Sequence, residues 1–138
     1  MYERITIGKL GEDLACRYIV KKGYKVLERN YRKPWGEIDI IARADDGTLV
    51  FVEVKALKKS GRIDLEPEDN LTSAKLKKLK RVCATFAAKR PEMVDETKGW
   101  RIDLVAIEIP DEMPSPQRWW EKLTNRNKNY VIRHYENI

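Results

Sequence analysis

The chain has 138 residues, the size of one ordinary domain, and its 36% of charged residues stands above the usual figure of about 25%. A net charge of +6 and a pI near 9.3 point toward anionic partners, of which nucleic acid is the commonest. Cys16 and Cys83 lie far apart with no CxxC motif, and His134 is the single histidine, which excludes a zinc site built from Cys and His.

The stretch MYERITIGKLGEDLACRYIV is broken by charges throughout and fits neither a signal peptide nor a membrane span. A cytoplasmic location without a membrane partner is therefore expected, with Cys16 and Cys83 as small buried thiols. Residues 7–22 predict a helix, with Ile7, Leu10, Leu14 and Tyr18 on one face and Gly23 as its stop signal. Residues 24–31 predict a strand, and Pro34-Trp35-Gly36 a turn. GEIDIIAR (36–43) and TLVFVEVKA (48–56) predict two strands joined by Asp45-Asp46-Gly47. After a polar, acidic loop over 58–71, a second helix is expected from about Ser73 to Lys89, with Leu76, Leu79, Val82, Cys83 and Phe86 as its apolar stripe. WRIDLVAIEI (100–109) predicts a long apolar strand. The expected division is a core domain over 1–109, a Pro-containing linker or tail over 110–128, and a short element over 129–138 that packs on the core.

The order helix, three strands, helix, strand predicts an α/β fold. The helix before the last strand permits a right-handed crossover, giving a mixed sheet flanked by helices.

The register of the hairpin over 36–56 follows from its loop. A type I turn followed by a left-handed glycine suits Asp45-Asp46-Gly47 and sets Ala44 opposite Thr48. Counting back pairs Ala42 with Val50, Ile40 with Val52 and Ile38 with Val54, an unbroken apolar face. The other face pairs Ile41 with Phe51, Asp39 with Glu53, and Glu37 with Lys55. A two-residue loop would mix the two faces. In the preferred register the Cβ atoms of Asp39 and Glu53 lie about 5 Å apart, and like charges so placed repel. Lys55, or a divalent cation held by both carboxylates, would compensate. Mg²⁺ takes oxygen ligands of this kind together with water and phosphate. The chemistry permitted is phosphodiester hydrolysis, with Lys55 positioning or deprotonating the attacking water. The alternative is a surface ion pair between Glu53 and Lys55.

Asp39 followed by Glu53-Val54-Lys55 on the next strand resembles the PD-(D/E)xK nuclease signature. Over residues 7–109 the likeness widens to Gly8, Gly11-Glu12-Asp13, Ala15, Gly23-Tyr24, Arg29-Asn30-Tyr31, Gly36-Glu37-Ile38-Asp39, Phe51-Val52-Glu53-Val54-Lys55, Lys75 and Arg101-Ile102-Asp103. This set, with His134 and Asn137 near the end, resembles the small bacterial YraN family of predicted endonucleases, itself similar to archaeal Holliday-junction resolvases. The resemblance implies a restriction-endonuclease-like fold and a Mg²⁺- or Mn²⁺-dependent endonuclease acting on DNA, branched DNA included, with no small-molecule cofactor. It implies Asp39, Glu53 and the Val54 carbonyl as metal ligands, Lys55 as the catalytic lysine, and Glu12 as the first-helix glutamate that completes the site. A homodimer is expected by analogy with the resolvases. Two features depart from the class: the second helix begins Thr72-Ser73-Ala74-Lys75-Leu76 without a glutamine, and residues 110–128 extend beyond the usual ending.

Glu12 falls at the edge of the first helix's apolar stripe beside Gly8, Gly11 and Ala15, from where a carboxylate can reach the sheet. Lys75 lies within the apolar sector of the second helix and either reaches the site or snorkels to water, whereas Lys77, Lys78 and Arg81 point outward. Between Asn70 and Pro91 there is no acidic residue, so this helix presents a one-sign face suited to phosphates. Arg32, Lys33, Lys58, Lys59 and Arg62 extend it as a basic rim. Trp35 stacks on a base or, more commonly for such a residue, caps a core. Asp103 and His134 are expected to be structural, Asp103 paired with Arg101 or with a neighbouring strand. Trp119-Trp120 either docks a partner or folds back on the domain. Two rivals to the nuclease reading are a nucleic-acid-binding module without turnover and a subunit whose tail recruits a DNA-processing partner.

Overall fold

The computed structural model describes residues 7–58, 67–110 and 130–138. Apolar side chains at helical spacing form α1 (Ile7–Lys21), which buries Leu10, Leu14, Ala15 and Ile19. Its end is closed by Tyr24 N–H donating to the Ile19 carbonyl and Gly23 N–H to the Val20 carbonyl, both at 3.0 Å. Strands β1 (Lys25–Lys33), β2 (Gly36–Arg43) and β3 (Leu49–Lys58) follow. Helix α2 (Ser73–Lys89) starts where Thr72 Oγ1 accepts from Lys75 N–H at 3.3 Å. It stops at Arg90, because the proline that follows disfavours helical backbone there. Short 3-10 turns at Pro67–Asn70 and Pro91–Met93 flank α2, and strands β4 (Trp100–Ile109) and β5 (Val131–Tyr135) follow.

The strands form one five-stranded sheet in the order β1-β2-β3-β4-β5. β3 and β4 run parallel, which the crossover through α2 permits, and the other neighbours are antiparallel. One apolar cluster joins α1 to Ile40, Ala42, Val50, Val52, Val105 and Ile107; the other joins α2 to Tyr31, Ile38, Ile41, Leu49 and Phe51. The expected α/β class is therefore observed, a mixed sheet between two helices, with β5 adding a fifth strand. No helix among the described residues is long and apolar enough to cross a membrane. Lys59, Arg62 and the segment 111–128 with Trp119-Trp120 lie outside the described residues.

The β2–β3 turn follows its sequence. Ala44 O accepts from Gly47 N–H at 3.0 Å and Ala44 N–H donates to Thr48 O at 2.9 Å, while Gly47 takes φ +96°, a conformation that costs a glycine nothing. The pairs Arg43–Leu49, Ala42–Val50, Ile41–Phe51 and Ile40–Val52 keep the expected register. Beyond them the strand departs from simple alternation. Ile38, expected on the face of Ile40, instead packs in the α2 cluster. The same exchange occurs on β1, where Arg29 reaches toward α1 and pairs with Asp13 at 2.7 Å while Tyr31 packs under α2. The register of these two strands places Asn30 opposite Asp39 at the exchange, and Asn30 has φ +53°. A left-handed residue within a strand reverses which face its neighbours occupy. Strict alternation along a strand carries no sign of such a reversal.

Candidate active site

Asp39 sits where β2 and β3 part. The ladder between them is recorded from Arg43–Leu49 to Ile40–Val52, and the next β3 donor on that edge, Val54 N–H, is taken by Asp39 Oδ2 at 2.8 Å. A side chain has replaced the neighbouring strand as partner. In an antiparallel pair the N–H and C=O of one residue point to the same edge, so the Val54 carbonyl faces the opening beside Asp39. β3 meanwhile remains paired with β4 as far as Lys58–Ile109, which holds Glu53, Val54 and Lys55 on a fixed backbone.

The acidic groups converge on this fork from three elements. Glu53 is about five-sixths buried, with 16% of its side chain exposed, and its Oε1 lies 3.2 Å from Lys55 Nζ. Burial, then the nearby Asp39 charge, pushes the Glu53 carboxyl up to about 7 against the pull of Lys55. Burial likewise raises Asp39, opposed by Val54 N–H and Lys55. Glu12 arrives from α1. Burial and then the Asp39 charge raise it as well. Glu12 comes this close because α1 lies directly on β3 at Gly11, where a Cβ would stand 2.6 Å from Ala56 Cβ.

The sheet divides the surroundings of the fork into two clefts, and Asp39 and Glu53, expected to face each other on one side, line different ones, since the ladder ends at Ile40–Val52 before that pair would form. On the α1 side, a cleft of about 780 Å³ is lined by Glu12, Asp13, Arg29, Asn30, Asp39 and Val54 among others. On the α2 side, one of about 450 Å³ is lined by Glu53, Lys55, Lys33, Lys75 and Lys78 above Leu79 and Val82. Lys75 is exposed rather than part of the buried stripe, yet it borders the cleft that holds Glu53 and Lys55. Lys77 and Arg81 are exposed on α2, Arg32 and Lys33 on β1, and Lys58 at the end of β3. Trp35 is 44% exposed on the β1–β2 turn, with Lys89 Nζ 4.4 Å from its ring centre.

The donor set at the fork is all oxygen: two side-chain carboxylates, a main-chain carbonyl, and Glu12 beside them. Such a set suits a hard divalent cation, Mg²⁺ or Mn²⁺, and not a soft metal. Carboxylates that burial and mutual repulsion have pushed up are the groups a cation would relieve. Among the described residues, however, no three His, Cys, Asp or Glu side chains already stand in metal-ligating arrangement, so these carboxylates, the carbonyl and water would share the ligation of a bound ion.

Fold and site together define a small α/β domain with an acidic centre at a forked strand pair. The chain belongs to the uncharacterised protein family UPF0102, whose model matches residues 11–107. It is 38% identical over 105 residues to a UPF0102 protein of Syntrophomonas wolfei, covering 76% of this chain and 86% of that one. It is 40% identical over 106 residues to one of Roseiflexus castenholzii, covering 77% and 82%. With one of Thermotoga maritima it shares 45% over 103 residues, covering 66% and 93%.

Among the described residues Asp103, on β4, is a buried acid of a different kind. It is fully buried, and its Oδ1 accepts from Arg101 Nε and from Asn137 N–H, each at 3.0 Å. His134 Nε2 lies 2.8 Å from its Oδ2, and His134 Nδ1 is 3.3 Å from both Tyr18 Oη and Lys22 Nζ. This cluster ties β5 and the residues after it to β4 and to the end of α1.

Proposed function

We propose that the chain is a divalent-metal-dependent endonuclease that hydrolyses phosphodiester bonds in DNA, a member of the PD-(D/E)xK restriction-endonuclease-like class. The observation that carries this reading is the fork in the sheet, where Asp39 Oδ2 takes the Val54 N–H at 2.8 Å and the flanking Glu53 and Lys55 side chains lie 3.2 Å apart. Asp39, Glu53 and the Val54 carbonyl would hold Mg²⁺ or Mn²⁺. When bound, such an ion polarises a phosphate and acidifies a coordinated water. Lys55 is placed to orient the attacking water or take its proton, and Glu12 adds a third carboxylate on the α1 side. The exposed cations of α2 and β1 would hold the flanking phosphates without reading sequence.

Linear, nicked and four-way-junction DNA incubated with Mg²⁺ or Mn²⁺ provides the test. Cleavage is expected, and Asp39→Ala or Glu53→Ala should lower it by about 100-fold or more. Cleavage that survives both substitutions belongs to a contaminant and ends the proposal. The lack of a ready-made three-ligand group among the described residues favours one second reading, a DNA-binding module without turnover. Salt-dependent binding with no cleavage of any of the three substrates would select it.

A further inference from the structure

We infer that Asn30 is a positioning residue for Glu12, fixing that carboxylate beside Asp39 so that it supports a cation bound at the fork. The inference rests on the metal-site reading above and extends it to a residue to which the PD-(D/E)xK pattern of Asp39, Glu53 and Lys55 gives no role. Its first support is backbone geometry. Asn30 lies within β1 at φ +53°, a conformation uncommon outside glycine but one that asparagine adopts more readily than most residues. It is solvent-exposed and belongs to neither apolar cluster, so packing does not explain the kink. What the kink accomplishes is local: it lies across from Asp39, where both strands exchange faces.

The second support is the side chain. With its NH₂ turned toward α1, the Asn30 amide donates to Glu12 Oε1 at 3.0 Å and to Oε2 at 3.2 Å. The opposite orientation would set its carbonyl against a carboxylate and leave the donors turned away. One amide thus spans both oxygens of Glu12, in the same cleft where Glu12 meets Asp39 and Val54. Arg29, the preceding residue, holds Asp13 at 2.7 Å, so consecutive β1 side chains clamp consecutive α1 acids. Residues that orient a ligating carboxylate from behind are worth a large part of a site's affinity, and their removal typically weakens metal binding about 10–100-fold.

The test compares the unsubstituted chain with Asn30→Gly, Glu12→Gln and the double variant. Glycine accepts the left-handed backbone and deletes only the amide, so thermal unfolding in the presence of a chelator should change little. Mn²⁺ affinity, read by titration against the electron paramagnetic resonance of the free ion, should fall about 10–100-fold in Asn30→Gly. The double variant should bind no more weakly than Glu12→Gln alone, because the amide acts only through that carboxylate. Unchanged affinity in Asn30→Gly, or losses that simply add in the double variant, overturns the assignment while leaving the metal site in place. Failure of the unsubstituted chain to bind Mn²⁺ overturns the metal reading and the Asn30 assignment together. Mn²⁺ binding with the expected coupling but no DNA cleavage supports the assignment and removes only the nuclease reading.

Discussion

Two acidic centres lie within this one small domain, and the sheet treats them oppositely. Asp103 on β4 is fully buried, yet Arg101, His134 and the Asn137 N–H all turn toward it. Burial pushes its carboxyl up, but the hydrogen bonds to His134, Arg101 and Asn137 outweigh that and hold it below the usual aspartate range. Asp39 and Glu53 are also largely buried, but their neighbours include each other and Glu12, and both are raised. The first acid is satisfied by the fold and joins elements together. The second group carries repulsion that its neighbours do not fully offset, and on the proposed reading a bound cation would ease it.

The sharpest way to break this comparison is to delete the satisfied acid. Asp103→Ala leaves Arg101 and His134 without their buried partner, and loss of one member of such a set costs about 3–5 kcal/mol. Urea unfolding should register that loss; a change below about 1 kcal/mol would show that the cluster is structurally idle.

The acid limb of the stability curve sharpens the same point. The folded value of Asp103 lies below its unfolded value of about 3.9. On acidification the unfolded chain takes up the proton first, so the Asp103 contribution is present above about pH 4 and disappears as pH falls through the lower folded value. Asp103→Asn has no proton to gain there. Its urea midpoint, lower throughout, should decline less steeply in that window than that of the unsubstituted chain. Parallel declines would deny Asp103 its depressed ionisation.

Much of this was legible in the residues. The Asp45-Asp46-Gly47 loop fixed the hairpin register as far as Ile40 and Val52, because turn geometry and the apolar alternation agreed. The spacing of Leu76, Leu79, Val82, Cys83 and Phe86 marks α2, and all but the half-buried Leu76 are buried. Ile38 was misplaced because period-2 reasoning assumes a continuous strand, and nothing in the local pattern reveals that Asn30 is left-handed. Lys75 was placed within the apolar sector by helical periodicity, but in the first turn of α2 that sector opens onto the cleft rather than the core. The approach of Glu12 to Asp39 is a tertiary fact; its trace in the sequence is the small residue Gly11 beside it, informative only once α1 lies on β3.

That close approach supplies the next test. In Gly11→Val, the new side chain must occupy space already held by Ala56, and overpacking of this kind costs about 1–3 kcal/mol. Because α1 would have to lift from β3, Glu12 would retreat from Asp39, so Mn²⁺ affinity should fall along with stability. Asp103→Ala, by contrast, is predicted to lower stability and leave Mn²⁺ affinity of the still-folded protein unchanged. If Gly11→Val weakens the fold without touching metal affinity, the acidic centre does not depend on the helix, and Glu12 loses its place in it.

The smallest effect has the opposite sign from all of these and for that reason discriminates best. Glu53→Gln keeps the size of the side chain and removes one of the two repelling charges at the fork. Relief of that repulsion is a small gain, on the order of the 0.2–1 kcal/mol of a cross-strand side-chain pair, so in the presence of a chelator this variant should unfold at a slightly higher urea concentration than the unsubstituted chain. With Mn²⁺ added the order should reverse, because an ion that binds only the folded state stabilises it according to its occupancy, and the variant has lost a ligand. A purely structural carboxylate gives neither the gain nor the crossover. Were Glu53→Gln to lose stability with the chelator present, the Lys55 contact at 3.2 Å would outweigh the repulsion from Asp39. Glu53 would then belong with Asp103, as an acid the fold has already satisfied.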